Sequence, residues 1–151
     1  MQKITPFLMF NDQAEEAVKL YTSVFKGSKI GSISRGPDGK AMSVSFELEG
    51  LPFMAFNGGP HFKFSEGISL FVSCENQAEV DALWDRLSAG GKHKQCGWLE
   101  DRFGVSWQII PTALMRLMGD KDPAKAGRVV QAMLGMQKID IAGLERAYQG
   151  S

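Results

Sequence analysis

Apolar and polar positions along the chain follow one pattern that occurs twice, 64 residues apart. Ile4 aligns with Ile68, Thr5 with Ser69, Phe7 with Phe71, and Gln13-Ala14-Glu15 with Gln77-Ala78-Glu79. Each copy opens with an apolar run of strand length, Ile4–Phe10 and Ile68–Cys74,. A helix-start signature follows, Asp12 with Glu15 and Asn76 with Glu79. In such a signature the Asx side chain accepts from the first backbone amides while the glutamate reaches back. The helices carry Ala14, Ala17, Val18, Tyr21 and Phe25 on one apolar face, and Val80, Leu83, Trp84 and Leu87 on the other copy's,. Glycines near Gly27 and at Gly90-Gly91 end them,. A strand, a cap and a helix repeated in one register point to a tandem duplication.

After the first helix, Lys29–Arg35 and Ala41–Glu49 alternate around the turn Gly36-Pro37-Asp38-Gly39, and a second turn at Glu49–Pro52 leads to Phe53–Asn57,. The first module therefore reads β-α-β-β-β. The second is shorter: 17 positions separate Gly91 from Gln108, against 30 between Gly27 and Asn57. Gln95–Leu99 and Val105–Ile110 form a hairpin about Asp101–Gly104, so one strand of this copy is shortened or missing,. Beyond Pro111 the repeat stops. Thr112–Met118, Ala124–Leu134 (after the cap Asp122-Pro123) and Asp140–Tyr148 predict a helical C-terminal extension,.

Seventeen basic and seventeen acidic side chains leave no net charge, so no global field recruits nucleic acid or an anionic membrane,. No apolar run approaches the roughly 20 residues of a membrane span. Met1 opens straight into a strand pattern without an export signal, and Cys74 and Cys96 have neither zinc nor disulfide spacing,. A cytoplasmic protein with two reduced thiols is the expectation.

Asn11–Ala17 with Leu20–Phe25 resembles the opening of a vicinal-oxygen-chelate (glyoxalase/bleomycin-resistance/dioxygenase) module. Asp101–Ile109 resembles that superfamily's last hairpin, whose usual form is Asp-Pro-x-Gly-x-x-x-Glu. Phe56–Pro60, Cys96-Gly97-Trp98 and Trp107–Pro111 are similar to the PhnB-like branch, which carries the label 3-demethylubiquinone-9 3-methyltransferase-like. The resemblance implies an α+β fold of two tandem βαβββ modules, at about 1–60 and 66–111, forming a cup-shaped mixed sheet. With the helical extension at 112–151, the chain reads as a single glyoxalase-like domain. Methyl transfer finds no support in the residues. No glycine-rich turn suits an S-adenosyl donor, and Gly58-Gly59-Pro60 ends in a proline without an N–H,.

The resemblance also places the superfamily's inward metal-ligand positions at Thr5 (or Pro6), Asn57, Ser69 and Gln108. These are two hydroxyls and two carboxamides, all neutral, where His and Glu hold a divalent ion in the superfamily. No metal and no cofactor are therefore expected. Strand alternation from those positions turns Phe7, Met9, Phe71, Ser73, Ala55, Phe53, Ser106 and Ile110 into the cup. It turns Ile4, Leu8, Phe10, Leu70, Val72, Met54, Phe56, Trp107 and Ile109 under the helices. A pocket for a small organic molecule, aromatic or amphipathic, is expected at Thr5, Phe7, Asn57, Ser69, Phe71, Trp98 and Gln108. The other reading is a filled core whose polar groups satisfy one another.

Catalytic candidates are weaker. His61 reads as an exposed loop residue, His93 as solvated surface, Cys96 as a thiol without a positioned base, and Glu47 and Glu49 as water-facing. A binding protein is favoured, with an enzyme of the vicinal-oxygen-chelate type at the same cup as the alternative. The apolar extension reads as a cover for the short module or a grip on a second subunit. By family resemblance, a symmetric homodimer is expected.

Overall fold

The computed structural model describes residues 2–150 and divides into two compact units, 1–64 and 65–151. The first holds β1 (Phe7–Phe10), α1 (Ala14–Val24), β2 (Lys29–Arg35), β3 (Ala41–Leu48) and β4 (Leu51–Asn57). These strands form one mixed sheet in the order β1-β4-β3-β2, with β1 parallel to β4 and the rest antiparallel. Helix α1 lies on one face of it against β3 and β4. Ala14, Ala17, Val18 and Tyr21 there meet a layer containing Val44, Phe46, Phe53 and Ala55, all buried. Burial of a Val- or Phe-sized side chain contributes about 1.5–3 kcal/mol, so this layer holds the unit together.

The second unit repeats the plan with β5 (Leu70–Cys74), α2 (Gln77–Ser88), β6 (Lys92–His93), β7 (Trp98–Glu100) and β8 (Ser106–Pro111), in the order β5-β8-β7-β6. The shortened strand is β6, two residues long. Leu99, Trp107 and Ile109 are buried on the α2 side of the sheet with Val80, Leu83, Trp84 and Leu87. Asn76 caps α2 by accepting from Glu79 N, as its signature requires,. Asp12 does not cap α1.

The sheet strands start later than the apolar runs do. Ile4, expected under the helices, is 82% exposed because it precedes β1, and Ile68 is likewise 79% exposed ahead of β5. The extension forms α3 (Thr112–Met118), α4 (Pro123–Leu134) and α5 (Ile141–Gln149). Leu114, Leu117, Val129, Ile139 and Leu144 join Ile110 in one buried cluster. Gln77, at the start of α2, donates to Ile139 O and accepts from Ile141 N, while Cys96 N and Gly97 N donate to Met136 O and Gln137 O. The extension is thus bonded to the second module through the Gln77 side chain and the Cys96 and Gly97 amides. None of the described helices is long and apolar enough to cross a membrane.

Candidate functional site

In the second unit Phe71 pairs with Gln108 across β5 and β8, and Gln108 with Trp98 across β8 and β7. Partners directly opposite share a face, so Phe71, Gln108 and Trp98 form one row on the sheet side turned away from α2. Phe71 is 50% exposed and Trp98 half-buried. Gln108 Nε2 donates to Ser69 Oγ at 2.9 Å, which fixes the carboxamide between the two aromatic side chains. One step along the strands, Glu100 lies opposite Ser106. The Ser106 hydroxyl is buried and has no hydrogen-bond partner. Ile110 continues the same face but is buried in the extension's cluster, which closes that end.

In the first unit the corresponding face carries Thr5, Phe7 and Met9 with Met54 and Phe56. The pairs Phe7↔Met54 and Met9↔Phe56 set the register. A pocket of about 270 Å³ opens here beside Thr5, Lys29, Ser45, Glu47 and Met54. Phe53 and Ala55, expected in the cup, face α1 instead, and Met54 and Phe56 take the open side. The counterpart of Gln108 is therefore Met54. The offset between copies is 64 at Phe7 and Phe71 but 108 − 54 = 54 at the last strand, because the second copy is shorter between them.

Asn57 lies opposite Phe10 on the α1 side. Its Oδ1 accepts from Ala14 N at 2.8 Å and its Nδ2 donates to Ala41 O at 2.9 Å. It supplies from β4 the cap that Asp12 does not. Asn57→Ala should lower stability by about 1–2 kcal/mol in a thermal melt. An unchanged midpoint would remove Asn57 from this role. A larger groove, about 650 Å³, runs beside it along Gln13, Arg35, Lys40 and Met42. Within it Arg35 holds Glu15 through both carboxylate oxygens, and with Lys19 keeps that carboxyl below its usual pKa.

Residues 2–110 match the family described as 3-demethylubiquinone-9 3-methyltransferase. The chain belongs to this family. A PhnB protein from Bacillus cereus is 38% identical at a TM-score of 0.69, over 73% of this chain and 99% of that one. Protein PA1353 from Pseudomonas aeruginosa shares the fold at 21% identity and a TM-score of 0.62, over 74% and 98% of the two chains. So does a glyoxylase/bleomycin resistance protein/dioxygenase domain from Frankia sp. EAN1pec, at 18% identity and 0.50, over 74% and 92%. No curated protein matches. The family match ends at residue 110, so the extension lies outside it.

The glyoxalase/bleomycin-resistance-like fold of this PhnB family chain brings with it the question of a divalent ion. The residues brought together there are Thr5, which lines one pocket with Met54, and Ser69, bonded to Gln108. A hydroxyl, a soft thioether, and a hydroxyl already bonded to a carboxamide do not fit a His and Glu ligand set. Among the described residues no group of three or more His, Cys, Asp or Glu could hold a metal. The glycine turn is equally committed. Gly58 N and Gly59 N donate to Phe10 O and Asn11 O, and Pro60 has no N–H, so no amide there is free to cradle a phosphate or nucleotide,.

The remaining candidates are accounted for locally. His61 is exposed in its loop. His93, on β6, pairs its Nε2 with the buried Ser88 hydroxyl at 2.9 Å and lies 5.1 Å from the Trp84 ring, a contact hidden from sequence by the shortness of β6. Cys96 holds a left-handed φ of 61° and is half-buried. Glu47 pairs with Lys29, and Trp107 lies under α2 as its strand parity requires.

Proposed function

We propose that the chain binds a small organic molecule, without a metal, on the second sheet's face turned away from α2. A ring would stack on Trp98 and Phe71, and its polar group would bond the Gln108–Ser69 pair. The observation that carries this reading is the Gln108–Ser69 hydrogen bond set in one cross-strand row between two incompletely buried aromatic side chains. Methyl transfer is disfavoured because the Gly58-Gly59 amides are already bonded within the fold. A vicinal-oxygen-chelate-type enzyme acting at the same face remains the alternative reading.

The test is a thermal-shift screen of pooled metabolites, followed by titration of each hit after dialysis against a chelator. Binding should survive chelation, and Trp98→Ala should weaken it about tenfold, equivalent to about 1.4 kcal/mol. Binding that vanishes with the chelator, or that ignores Trp98→Ala, would overturn the reading. A hit recovered chemically altered, at a rate lost in Gln108→Ala, would establish the enzyme alternative.

A further inference from the structure

The two modules share one feature of their edge strands. In each, a lysine on the edge strand faces a glutamate across the ladder: Lys29 opposite Glu47, and Lys92 opposite Glu100. Both pairs are 3.8 Å apart. The modules then diverge. Glu47 lies opposite Pro52, whereas Glu100 lies opposite Ser106, whose buried hydroxyl has no partner. A buried hydroxyl left unbonded costs about 1–3 kcal/mol, so this corner is incomplete in the chain alone.

Glu100 has acceptor capacity to spare. Lys92 and Lys94 stand 3.8 and 3.7 Å from its oxygens, longer than a hydrogen bond,. Lys94 is committed elsewhere: it donates to Glu66 at 2.8 Å, and that bond raises its pKa above the ordinary value. The two ammonium groups thus balance the Glu100 charge without saturating its lone pairs. Glu100 is two residues from Trp98 along β7, about 6.6 Å, which is the length of a fused ring system.

We infer that Glu100 receives a hydrogen bond from the ligand, and that the ligand is a planar ring bearing an N–H or O–H group. Ser106, directly across the ladder from Glu100, is a second group at this corner with unused hydrogen-bonding capacity. The inference rests on the platform of Trp98, Phe71 and Gln108 proposed above and names what that platform selects.

Indole and 1-methylindole test it, because they match in shape and differ in the donor. By calorimetric titration the parent protein should bind indole at least tenfold more tightly than 1-methylindole. Glu100→Met, similar in length but with only a weak sulfur acceptor, should weaken indole at least fivefold and shrink the preference below twofold, with 1-methylindole unchanged. Ser106→Ala, which removes an unbonded hydroxyl, should keep the fold and reduce the preference partially. Equal binding of the two compounds, or a preference that survives Glu100→Met, would overturn the Glu100 inference while the platform stands. Failure of both compounds to bind, or binding indifferent to Trp98→Ala, would overturn the platform and this inference together.

Discussion

Asp101→Ala is expected to lower the free energy of unfolding by about 3 kcal/mol or more, a large share of the 5–15 kcal/mol that holds an ordinary domain folded. The carboxylate is buried at the hairpin between β7 and β8. One oxygen accepts from Phe103 N at 2.9 Å and Val105 N at 3.0 Å; the other accepts from Trp107 Nε1 at 2.9 Å. Trp107 is itself 1% exposed, so its indole N–H has no water to turn to. Truncation would leave three donors unpaired, each costing about 1–3 kcal/mol if it stays buried. Asp101→Asn, which keeps one acceptor oxygen, should fall between the two. Urea denaturation followed by far-UV dichroism measures the change without relying on Trp107 as the probe. A loss under about 1 kcal/mol would show that water or a rotated side chain replaces the carboxylate.

The same residue shows how sequence and structure divide the work. Asp101–Gly104 was legible as a turn, and the motif around it as a family likeness. That the aspartate bonds a tryptophan six residues away was not legible, because such a bond depends on the register of β8 under α2. The two modules, the α2 cap at Asn76 and the buried faces of α1 and α2 were visible in periodicity alone, since each is a local pattern. Asn57 departs from the expected face for a different reason. Its strand is apolar on both sides, Phe53 and Ala55 against Met54 and Phe56, so alternation names no face and register decides,. Only the parallel pairing of Phe7 with Met54 shows that Met54 is the counterpart of Gln108. The row of Phe71, Gln108 and Trp98 was partly readable: its members were expected to line the site. Glu100 and Ser106 carried no sequence signal strong enough to join them, since their importance lies in which cross-strand partner each one meets.

Gly91→Ala should disrupt the second module's outer edge with an effect of similar size. A Cβ at this position would run into the carbonyl oxygen of Glu100 and lie 2.8 Å and 3.0 Å from the carbonyl carbon and Cα of Asp101. All three are backbone atoms of β7 and the hairpin after it, so no side-chain rotation relieves the clash. Overpacking of this kind costs about 1–3 kcal/mol when the surroundings can shift. Here any shift moves β6 away from β7, and with it the Lys92↔Glu100 pairing that places Glu100 on the proposed binding face. Gly91→Ala should therefore reduce stability by about 3 kcal/mol and weaken indole binding in the fraction that remains folded. Gly127→Ala is the matched control. It lies inside α4, where an added Cβ would meet nothing within 4 Å beyond the adjoining helix backbone, and should stabilise the protein by up to about 1 kcal/mol through helix propensity,. Parallel urea titrations of the two variants separate a steric cause from a general intolerance of glycine replacement. Equal behaviour of the pair would show that the β6 edge yields to the methyl group, and that the placement of Glu100 does not depend on Gly91.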